Sequence, residues 1–256
     1  MNNKKNIVLF VNDSYFSHLL SKDLIESYHD KISLVVFSKS TSSSIKKIFS
    51  IYKKVSINYF IYRVFIQVLS KTFYRKKTVE FFADQYEIEK CYVKKRSDLL
   101  AVINKNSNVA FAFNFDIIIK NDILSKFEYG IYNIHASKLP NDKGISPVLW
   151  SFARGDKYVW STIYKMDEGI DSGPILKQFQ INVKEDDTSF SLYRRVCTES
   201  GYALNELVKK ILKNQIELVN QPRLLTANYF SWPDKRFSSM MKDSNRNFIK
   251  IKDFLN

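Results

Sequence analysis

Short apolar runs alternate along the chain with longer stretches in which apolar residues recur every three to four positions. Uninterrupted apolar runs are typical of strands buried on both faces of a sheet, and the three-to-four spacing is typical of amphipathic helices. The pattern predicts strands over residues 6–11, 32–37, 87–93, 108–115, 130–136, 158–166 and 174–183.

Helices are predicted between these runs, over residues 45–77, 98–104, 121–127 and 186–212. A further helix is expected to start at Pro147, with Ser146 as its N-cap, because proline is favoured at the first helical position. The long last helix has an apolar face made of Leu192, Val196, Ala203, Leu204, Leu207, Val208, Ile211 and Leu212. Strands that alternate with helices predict an α/β fold with a mostly parallel sheet flanked by helices.

A chain of 256 residues is long enough for one large domain. We expect a main domain over residues 1–215 and a short C-terminal extension over residues 216–256, with an aromatic cluster and a basic tail. The basic N-terminus precedes an apolar run, as in a signal peptide, but the run is short and ends at Asn12 and Asp13. A buried first strand is therefore expected there.

The net charge of +14 is unevenly distributed. From Lys31 to Val79 there is no acidic residue and there are eleven basic ones, interleaved with apolar and aromatic side chains. Such a surface should attract nucleotide phosphates, nucleic acid or an acidic membrane surface, unless it is a basic surface without a specific partner. Residues 55–69 are too short for a transmembrane helix and contain Arg63.

The two cysteines, Cys91 and Cys197, lie far apart and have no metal-binding or redox spacing. Their placement indicates a reducing compartment, so a cytoplasmic location is expected, and no metal is expected.

The stretch YNIHASKLP (132–140) carries the first candidate chemistry. On a strand over 130–136, Asn133 and His135 face the same side near its C-terminal end, where ligands bind in open α/β sheets. The segment DEGIDSGP (167–174) follows another predicted strand, and its two glycines allow a close approach of backbone to a ligand. A carboxylate from this loop could therefore meet the histidine.

An amide, an imidazole and a carboxylate in one cleft suit acyl transfer to an amine. The imidazole can take the amine proton near neutral pH, the amide can donate to the oxyanion, and the carboxylate can orient the imidazole. No nucleophilic side chain is required, and a turn role is favoured for Ser137. From the residues alone, a structural histidine at a strand end remains the alternative.

Three motifs in this part of the chain, NIHASKLP (133–140), KGISPVLW (143–150) and MDEGIDSGPIL (166–176), resemble those of the folate-dependent formyltransferase family in order and spacing. The resemblance implies a Rossmann-like fold, N10-formyltetrahydrofolate as formyl donor, and a catalytic trio of Asn133, His135 and Asp171. Two positions depart from the family pattern. Lys138 replaces the first leucine of a Leu-Leu-Pro stretch, and Trp160 stands where many relatives have glycine.

The same resemblance places the folate pterin against backbone around Ile117, Ile118 and Ile119 and against the loop formed by residues 167–171, which begins with Asp167, Glu168 and Gly169. The isoleucine side chains could equally belong to the core.

Among members of the family, the sequence is most similar to the N-formyltransferases of nucleotide-linked amino sugars. Methionyl-tRNA formyltransferases carry a C-terminal barrel for tRNA, and here only residues 213–256 follow the predicted long helix. Glycinamide ribonucleotide transformylases carry a glycine-rich loop after the first strand, which reads NDSYFSHLL here, and the segment YFSWPDKRF (229–237) is similar to the sugar enzymes. The resemblance therefore implies a dTDP-linked 4-amino-4,6-dideoxyhexose as acceptor, for surface polysaccharide such as the O-antigen of lipopolysaccharide.

Four side chains are candidates for contact with this acceptor. Lys143 could bind the diphosphate or be a solvated loop lysine, and the aromatic residues could stack on base or sugar or pack in the core: Trp150, Tyr229 and Trp232. A methionyl-tRNA formyltransferase-like or other amine formyltransferase remains an alternative, as does a non-enzymatic protein that binds nucleic acid or a membrane surface. We expect no nucleic-acid partner, and a homodimer is left open.

Overall fold

A seven-stranded sheet forms the centre of the fold in the computed structural model, which describes residues 6–38, 52–103, 107–222 and 227–254. The strands in this part of the chain are β1 (Ile7–Val11), β2 (Ile32–Ser38), β3 (Lys90–Val93), β4 (Val109–Phe113), β5 (Gly130–His135), β6 (Asp142–Gly144), β7 (Tyr158–Lys165), β8 (Ile175–Asn182) and β9 (Asn228–Phe230).

The order of strands in this sheet is β3-β2-β1-β4-β5-β7-β8. The first five strands run parallel, and β7 and β8 are antiparallel to their neighbours. Helices cover both faces of the sheet, which confirms the predicted Rossmann-like α/β fold with a mostly parallel sheet. A separate two-stranded ribbon pairs β6 with β9 in parallel.

The helices in the described residues are α1 (Tyr15–Tyr28), α2 (Ile57–Lys71), α3 (Val79–Gln85), α4 (Arg96–Val102), α5 (Asn121–Leu124), α6 (Pro147–Ala153), α7 (Ser189–Leu212) and α8 (Lys235–Asp243), with 3-10 turns at His29–Lys31 and Ile251–Phe254.

The helix predicted over 45–77 is shorter in the structure. Helix α2 begins after Ser56, whose hydroxyl accepts a hydrogen bond from the amide of Tyr59, and residues 45–51 lie outside the described part. Ser146 precedes α6 as expected, but it has a left-handed conformation with φ of 52° and its side chain caps nothing. A residue in that conformation turns its hydroxyl away from the first free amides of the helix, so the predicted side-chain cap is wrong.

Two apolar clusters lie on opposite faces of the sheet because side chains alternate along each strand. In β1, Ile7, Leu9 and Val11 point into the larger cluster, and Val8 and Phe10 into the smaller one. The larger cluster includes α1, α6 and α7, together with buried side chains of α8. Residues 227–254 therefore pack on the same core as the rest, while the predicted boundary at residue 215 stays a prediction.

None of the helices in the described ranges has both the length and the apolar character needed to cross a bilayer.

A buried histidine in α1 gives the fold a testable pH dependence. His18 is 3% exposed, and burial, together with Lys22 and Lys77, lowers its pKa from 6.5 to about 4. In the unfolded chain a histidine takes up a proton near pH 6.5, whereas the folded chain does so only near pH 4, so stability falls as the pH falls through this window.

We expect the free energy of unfolding to drop by about 3 kcal/mol on this account between neutral pH and pH 4. The variant His18→Leu should lose that part of the acid sensitivity, measured by urea denaturation as a function of pH. The exposed His29 provides the control, since His29→Leu should keep the parent profile. An unchanged profile in His18→Leu would show that His18 does not carry the effect.

Candidate active site

The end of β5 brings together the three residues that the motifs single out. Asn133 and His135 project from the same face of β5, and Asp171 comes from the loop between β7 and β8. The Nδ1 atom of His135 lies 3.7 Å from Oδ2 of Asp171, and the two side chains are only 10% and 12% exposed. The pair is thus largely shielded from solvent, but the small exposed fraction of each side chain leaves it accessible to a substrate.

The second ring nitrogen of His135 determines the tautomer. Nε2 lies 3.1 Å from the backbone carbonyl of Asp142, which can only accept a hydrogen bond. The neutral ring therefore carries its proton on Nε2, and the lone pair of Nδ1 faces Asp171. A proton that arrives on Nδ1 would create an imidazolium beside a carboxylate, which is a favourable arrangement for a general base.

Asp171 is held in place by several hydrogen bonds. Its Oδ1 accepts a hydrogen bond from the hydroxyl of Tyr164 at 2.9 Å, and its Oδ2 accepts one from the amide of Gly144 at 3.3 Å. Its own carbonyl accepts from the side-chain amide of Gln221 at 3.2 Å. Asp171 also has a positive φ of 50°, a strained conformation that these contacts stabilise.

Tyr164 links the amide of the trio to its carboxylate, and it is not among the site residues predicted from the sequence. It lies directly across from Asn133 in the antiparallel pairing of β5 with β7, and its hydroxyl accepts a hydrogen bond from Nδ2 of Asn133 at 3.0 Å. Burial, together with the charge of Asp171, raises the pKa of Tyr164 well above its usual value. The phenol therefore stays protonated and orients Asn133 and Asp171 at once.

Removal of this hydroxyl should weaken catalysis without removing a reacting group. We expect Tyr164→Phe to lower kcat for the reaction of this site by about tenfold to a hundredfold with little change in KM, because Asn133 and Asp171 lose their common partner. Steady-state kinetics over a range of pH checks this. Tyr158→Phe, an exposed residue of the same strand, is the control, and an unchanged kcat in Tyr164→Phe would refute the positioning role.

The loop before Asp171 is shaped by Asp167. Its Oδ1 accepts hydrogen bonds from the amide of Gly169 at 3.1 Å and the hydroxyl of Ser172 at 2.7 Å. Gly173 leaves no room for a side chain, since a Cβ there would lie 1.8 Å from the carbonyl oxygen of Lys165. The hydrogen bonds to Asp167 and the close packing at Gly173 therefore hold the loop in a compact conformation.

A cleft of about 310 Å³ lies beside this loop. Asp167 and Glu168 line it together with Asn121, Leu124, Ser125, Phe127, Gly130, Lys165 and Met166. Of the three isoleucines expected near the pterin, Ile119 is buried in the smaller core cluster, Ile117 packs against that cluster, and Ile118 is 65% exposed. The side chain of Ile119 is thus a core side chain, and any ligand contact there would come from the backbone.

The candidates for acceptor contact have different environments. Lys143 lies in β6, in the segment that follows His135, directly opposite Tyr229 of β9, and Tyr229 is 63% exposed. Trp232 is half-buried and packs against the larger core cluster.

Trp150 is a core residue, so of the two roles left open for it, stacking on a ligand and packing in the core, the structure shows packing. It is 2% exposed, and its indole nitrogen donates to the carbonyl of Ser231 at 3.1 Å. Phe230 stacks on its ring at 5.5 Å, and the guanidinium of Arg236 lies 5.2 Å from the ring centre. With these neighbours the ring has no free face for a base or a sugar.

The two residues that depart from the family pattern meet in the structure. The ammonium of Lys138 lies 4.6 Å from the ring centre of Trp160, a cation–π contact at the rim of the loop after β5. Ser137 donates to the carbonyl of Asp142, which supports a turn role for that hydroxyl.

Curated relatives match the chain at 30% identity or more over part of its length. The bifunctional polymyxin resistance protein ArnA of Wigglesworthia glossinidia brevipalpis is 37% identical over 130 residues, which are 51% of this chain and 19% of that protein. A methionyl-tRNA formyltransferase of Myxococcus xanthus is 34% identical over 105 residues, which are 41% of this chain and 34% of that enzyme. The matched region thus spans about a fifth of the first relative and about a third of the second.

Solved structures share the fold over most of the chain. An N-formyltransferase from Helicobacter canadensis superposes with a TM-score of 0.63 at 18% identity, over 97% of this chain and 82% of that one. The sugar 3N-formyl transferase WlaRD superposes with a TM-score of 0.62 at 21% identity, over 88% and 69%.

A family model described as formyl transferase matches residues 34–208, more than half of the chain. The match includes β5, β7 and the loop that carries Asp171. The fold brings His135 of β5 and Asp171 of this loop together. The chain belongs to the formyl transferase family.

Proposed function

We propose that this protein transfers a formyl group from N10-formyltetrahydrofolate to the amine of a nucleotide-linked sugar. The observation that carries the proposal is the meeting of Asn133, His135 and Asp171 at the end of β5, in a chain of the formyl transferase family. Amide, imidazole and carboxylate are the groups that acyl transfer to an amine requires.

The proposed mechanism follows from the hydrogen bonds of the site. The neutral amine attacks the formyl carbon, and Asn133 donates an amide hydrogen to the oxyanion that forms. Nδ1 of His135 takes the amine proton, and Asp171 stabilises the resulting imidazolium. The bond from the formyl carbon to N10 then breaks, the proton passes to N10, and tetrahydrofolate and a formamide leave.

The folate is proposed to bind at the loop beside Asp171. Backbone around Ile117, Ile118 and Ile119 and the segment Asp167, Glu168 and Gly169 are the proposed contacts, with the adjoining cleft of about 310 Å³ for the remainder of the molecule. The WlaRD structure, described as determined in the presence of dTDP and 5-N-formyl-THF, supports this class of donor.

A sugar acceptor is supported by the structures that the chain resembles. The Helicobacter canadensis enzyme is described in complex with folinic acid and dTDP-3-aminofucose, and it matches 97% of this chain. The segment YFSWPDKRF in β9 and α8 provides Tyr229 and Trp232, and Lys143 lies opposite Tyr229. We propose a dTDP-linked 4-amino-4,6-dideoxyhexose as acceptor, used in surface polysaccharide.

In this proposal residues 1–215 form the catalytic domain and residues 216–256 form an extension that contributes to the acceptor side.

The free thiols of Cys91 and Cys197 suit the reducing cytoplasm, where both substrates would be available.

Methionyl-tRNA is the second candidate acceptor, because methionyl-tRNA formyltransferases are among the curated relatives at 30 to 38% identity. Both candidates predict the same donor and the same trio. They differ only in the molecule that brings the amine.

A panel of acceptors tests the proposal. The purified protein is incubated with N10-formyltetrahydrofolate and either dTDP- and UDP-linked 3-amino or 4-amino sugars or methionyl-tRNA, and product is followed by mass spectrometry. Formylation of a nucleotide-linked 4-amino sugar, and its loss in Asn133→Ala, is the expected result. Formylation of methionyl-tRNA alone would favour the second candidate, and no formylation of any acceptor would refute the function.

A further inference from the structure

Helix α2 is apolar on two opposite faces. One face holds Tyr59, Tyr62 and Ile66, which are buried in the larger core cluster. The other face is formed by side chains that are 39% to 59% exposed: Ile57, Ile61, Val64, Phe65 and Val68. A helix that only packs on the core would present polar residues on this side.

These five exposed residues form one continuous row, which we call the outer stripe. Their spacing of four, three, one and three places them on a single side of the helix, opposite the buried face. Phe73, two residues after the end of α2, is 75% exposed and adds a large apolar side chain nearby in the chain. Single exposed apolar residues are common, but a contiguous row usually marks an interaction surface.

The segment that carries the outer stripe has charges of one sign only. Residues 52–78 contain no acidic residue, and they carry six exposed cations: Lys53, Lys54, Lys71, Arg75, Lys76 and Lys77. The seventh basic residue, Arg63, lies near Tyr59, Tyr62 and Asp116 instead. Most of these cations lie just before or just after the helix, at the two ends of the stripe.

A basic cleft lies at the N-terminal end of the stripe. The amide of Ser56 donates to the carbonyl of Pro233 at 3.0 Å and so joins the start of α2 to the start of α8. Beside this junction is a cleft of about 300 Å³ lined by Lys53, Lys54, Val55, Asp234, Lys235 and Arg236. Four cations against one carboxylate make this cleft a suitable place for an anionic headgroup.

We propose that the outer stripe and the flanking cations form a docking surface for an anionic phospholipid bilayer, on which α2 lies parallel to the membrane plane. The apolar side chains would enter the boundary between headgroups and acyl chains, and the lysines and arginines would bind lipid phosphates. At 15 residues, about 22 Å long, the helix is too short to span the hydrocarbon core.

The charge pattern disfavours the other occupants. In a symmetric pairing of two copies through this face, the cations of one copy would meet the cations of the other, with no acidic residue of the segment to compensate. Nucleic acid would satisfy the cations but leave the aliphatic side chains of the stripe without a partner, because bases stack on aromatic or guanidinium planes. A bilayer surface accommodates both the apolar and the basic groups.

Vesicle co-sedimentation of the full chain tests this inference, which does not depend on the acceptor of the formyl group. We expect binding to equimolar phosphatidylcholine–phosphatidylglycerol vesicles and little binding to phosphatidylcholine alone. Ile61→Asn combined with Val68→Asn should weaken the binding by about tenfold or more, since both side chains are more than half exposed and face the lipid. Lys53→Glu combined with Lys54→Glu should do the same.

Two variants of α7 are the matched controls. Tyr202→Ser removes an exposed apolar side chain, 60% exposed, and Lys209→Glu combined with Lys210→Glu reverses an exposed pair of lysines elsewhere. Both should bind anionic vesicles as the parent does, and circular dichroism should show that all variants fold. If the stripe variants misfold, Lys53→Glu combined with Lys54→Glu still tests the inference, because this variant changes only surface charge.

Several results would overturn the inference. They are no vesicle binding, equal binding to neutral vesicles, and equal loss in the α7 controls. A concentration-dependent dimer that Ile61→Asn disrupts, without vesicle binding, would assign the stripe to a second copy. Salt-sensitive oligonucleotide binding lost in the lysine variant, without vesicle binding, would assign the surface to nucleic acid.

Discussion

Replacement of His135 by alanine is expected to lower kcat for formyl transfer by about a thousandfold, within the range that general bases contribute. The variant loses the only group of the trio that can take the amine proton, since Asn133 donates to Tyr164 and Asp171 is already engaged by Tyr164 and Gly144. Steady-state kinetics with the acceptor found in the panel provides the measurement.

The cavity left by alanine allows a more specific test. Added imidazole should restore part of the activity of His135→Ala, because a free base can occupy the space beside Asp171. The exposed His29 is the matched control, and His29→Ala should retain full activity. A near-normal kcat in His135→Ala would contradict the role of His135 as base.

Replacement of Asp171 by asparagine has the second largest expected effect, a loss of about a hundredfold to a thousandfold in kcat. The two carboxylate oxygens accept hydrogen bonds from Tyr164 and from the amide of Gly144, and an amide has only one oxygen to offer. The variant therefore turns an NH₂ group toward a donor and also loses the charge that stabilises protonated His135.

A matched control for Asp171→Asn is Asp156→Asn, which neutralises a more exposed carboxylate paired with Arg154. It should leave kcat unchanged. The pH profile of kcat/KM in Asp171→Asn should differ from that of the parent, because the carboxylate beside His135 is gone. Activity of Asp171→Asn within about tenfold of the parent would argue against its part in catalysis.

The placement of Asn133 and His135 could be predicted because strand alternation is a local property. Two residues on one strand share a face whatever the rest of the fold does, and the end of a parallel strand is where ligands bind. The conformation of the loop at Asp171 was not readable in the same way, and its assignment rested on the motif that contains it.

Tyr164 could not be predicted, although it contacts both Asn133 and Asp171. Its position depends on the antiparallel register of β5 with β7, and a shift of one residue would turn it to the opposite face. The backbone contacts of Asp142 and Gly144 depend in the same way on how a loop folds in three dimensions, and side-chain patterns do not record that.

The burial of Trp150 did leave a signal in the sequence. Helix α6 reads PVLWSFA, which is apolar at nearly every position, and all seven of its residues are buried. A helix that is apolar all round is a core helix, so its tryptophan was a poor candidate for ligand stacking. The sequence interpretation left both roles open for Trp150, and this pattern favours packing.

Gly144 has consequences for how such enzymes could be recombined. Its φ is +95°, a Cβ there would lie 2.2 Å from the carbonyl of Phe230, and its amide holds Asp171. The segment around β9 and the catalytic loop thus fit each other through a position where only glycine is tolerated. A chimera that exchanges β6 or β9 would have to keep glycine at position 144, whatever side chains the new β9 brings, because the close contact is with the backbone of Phe230.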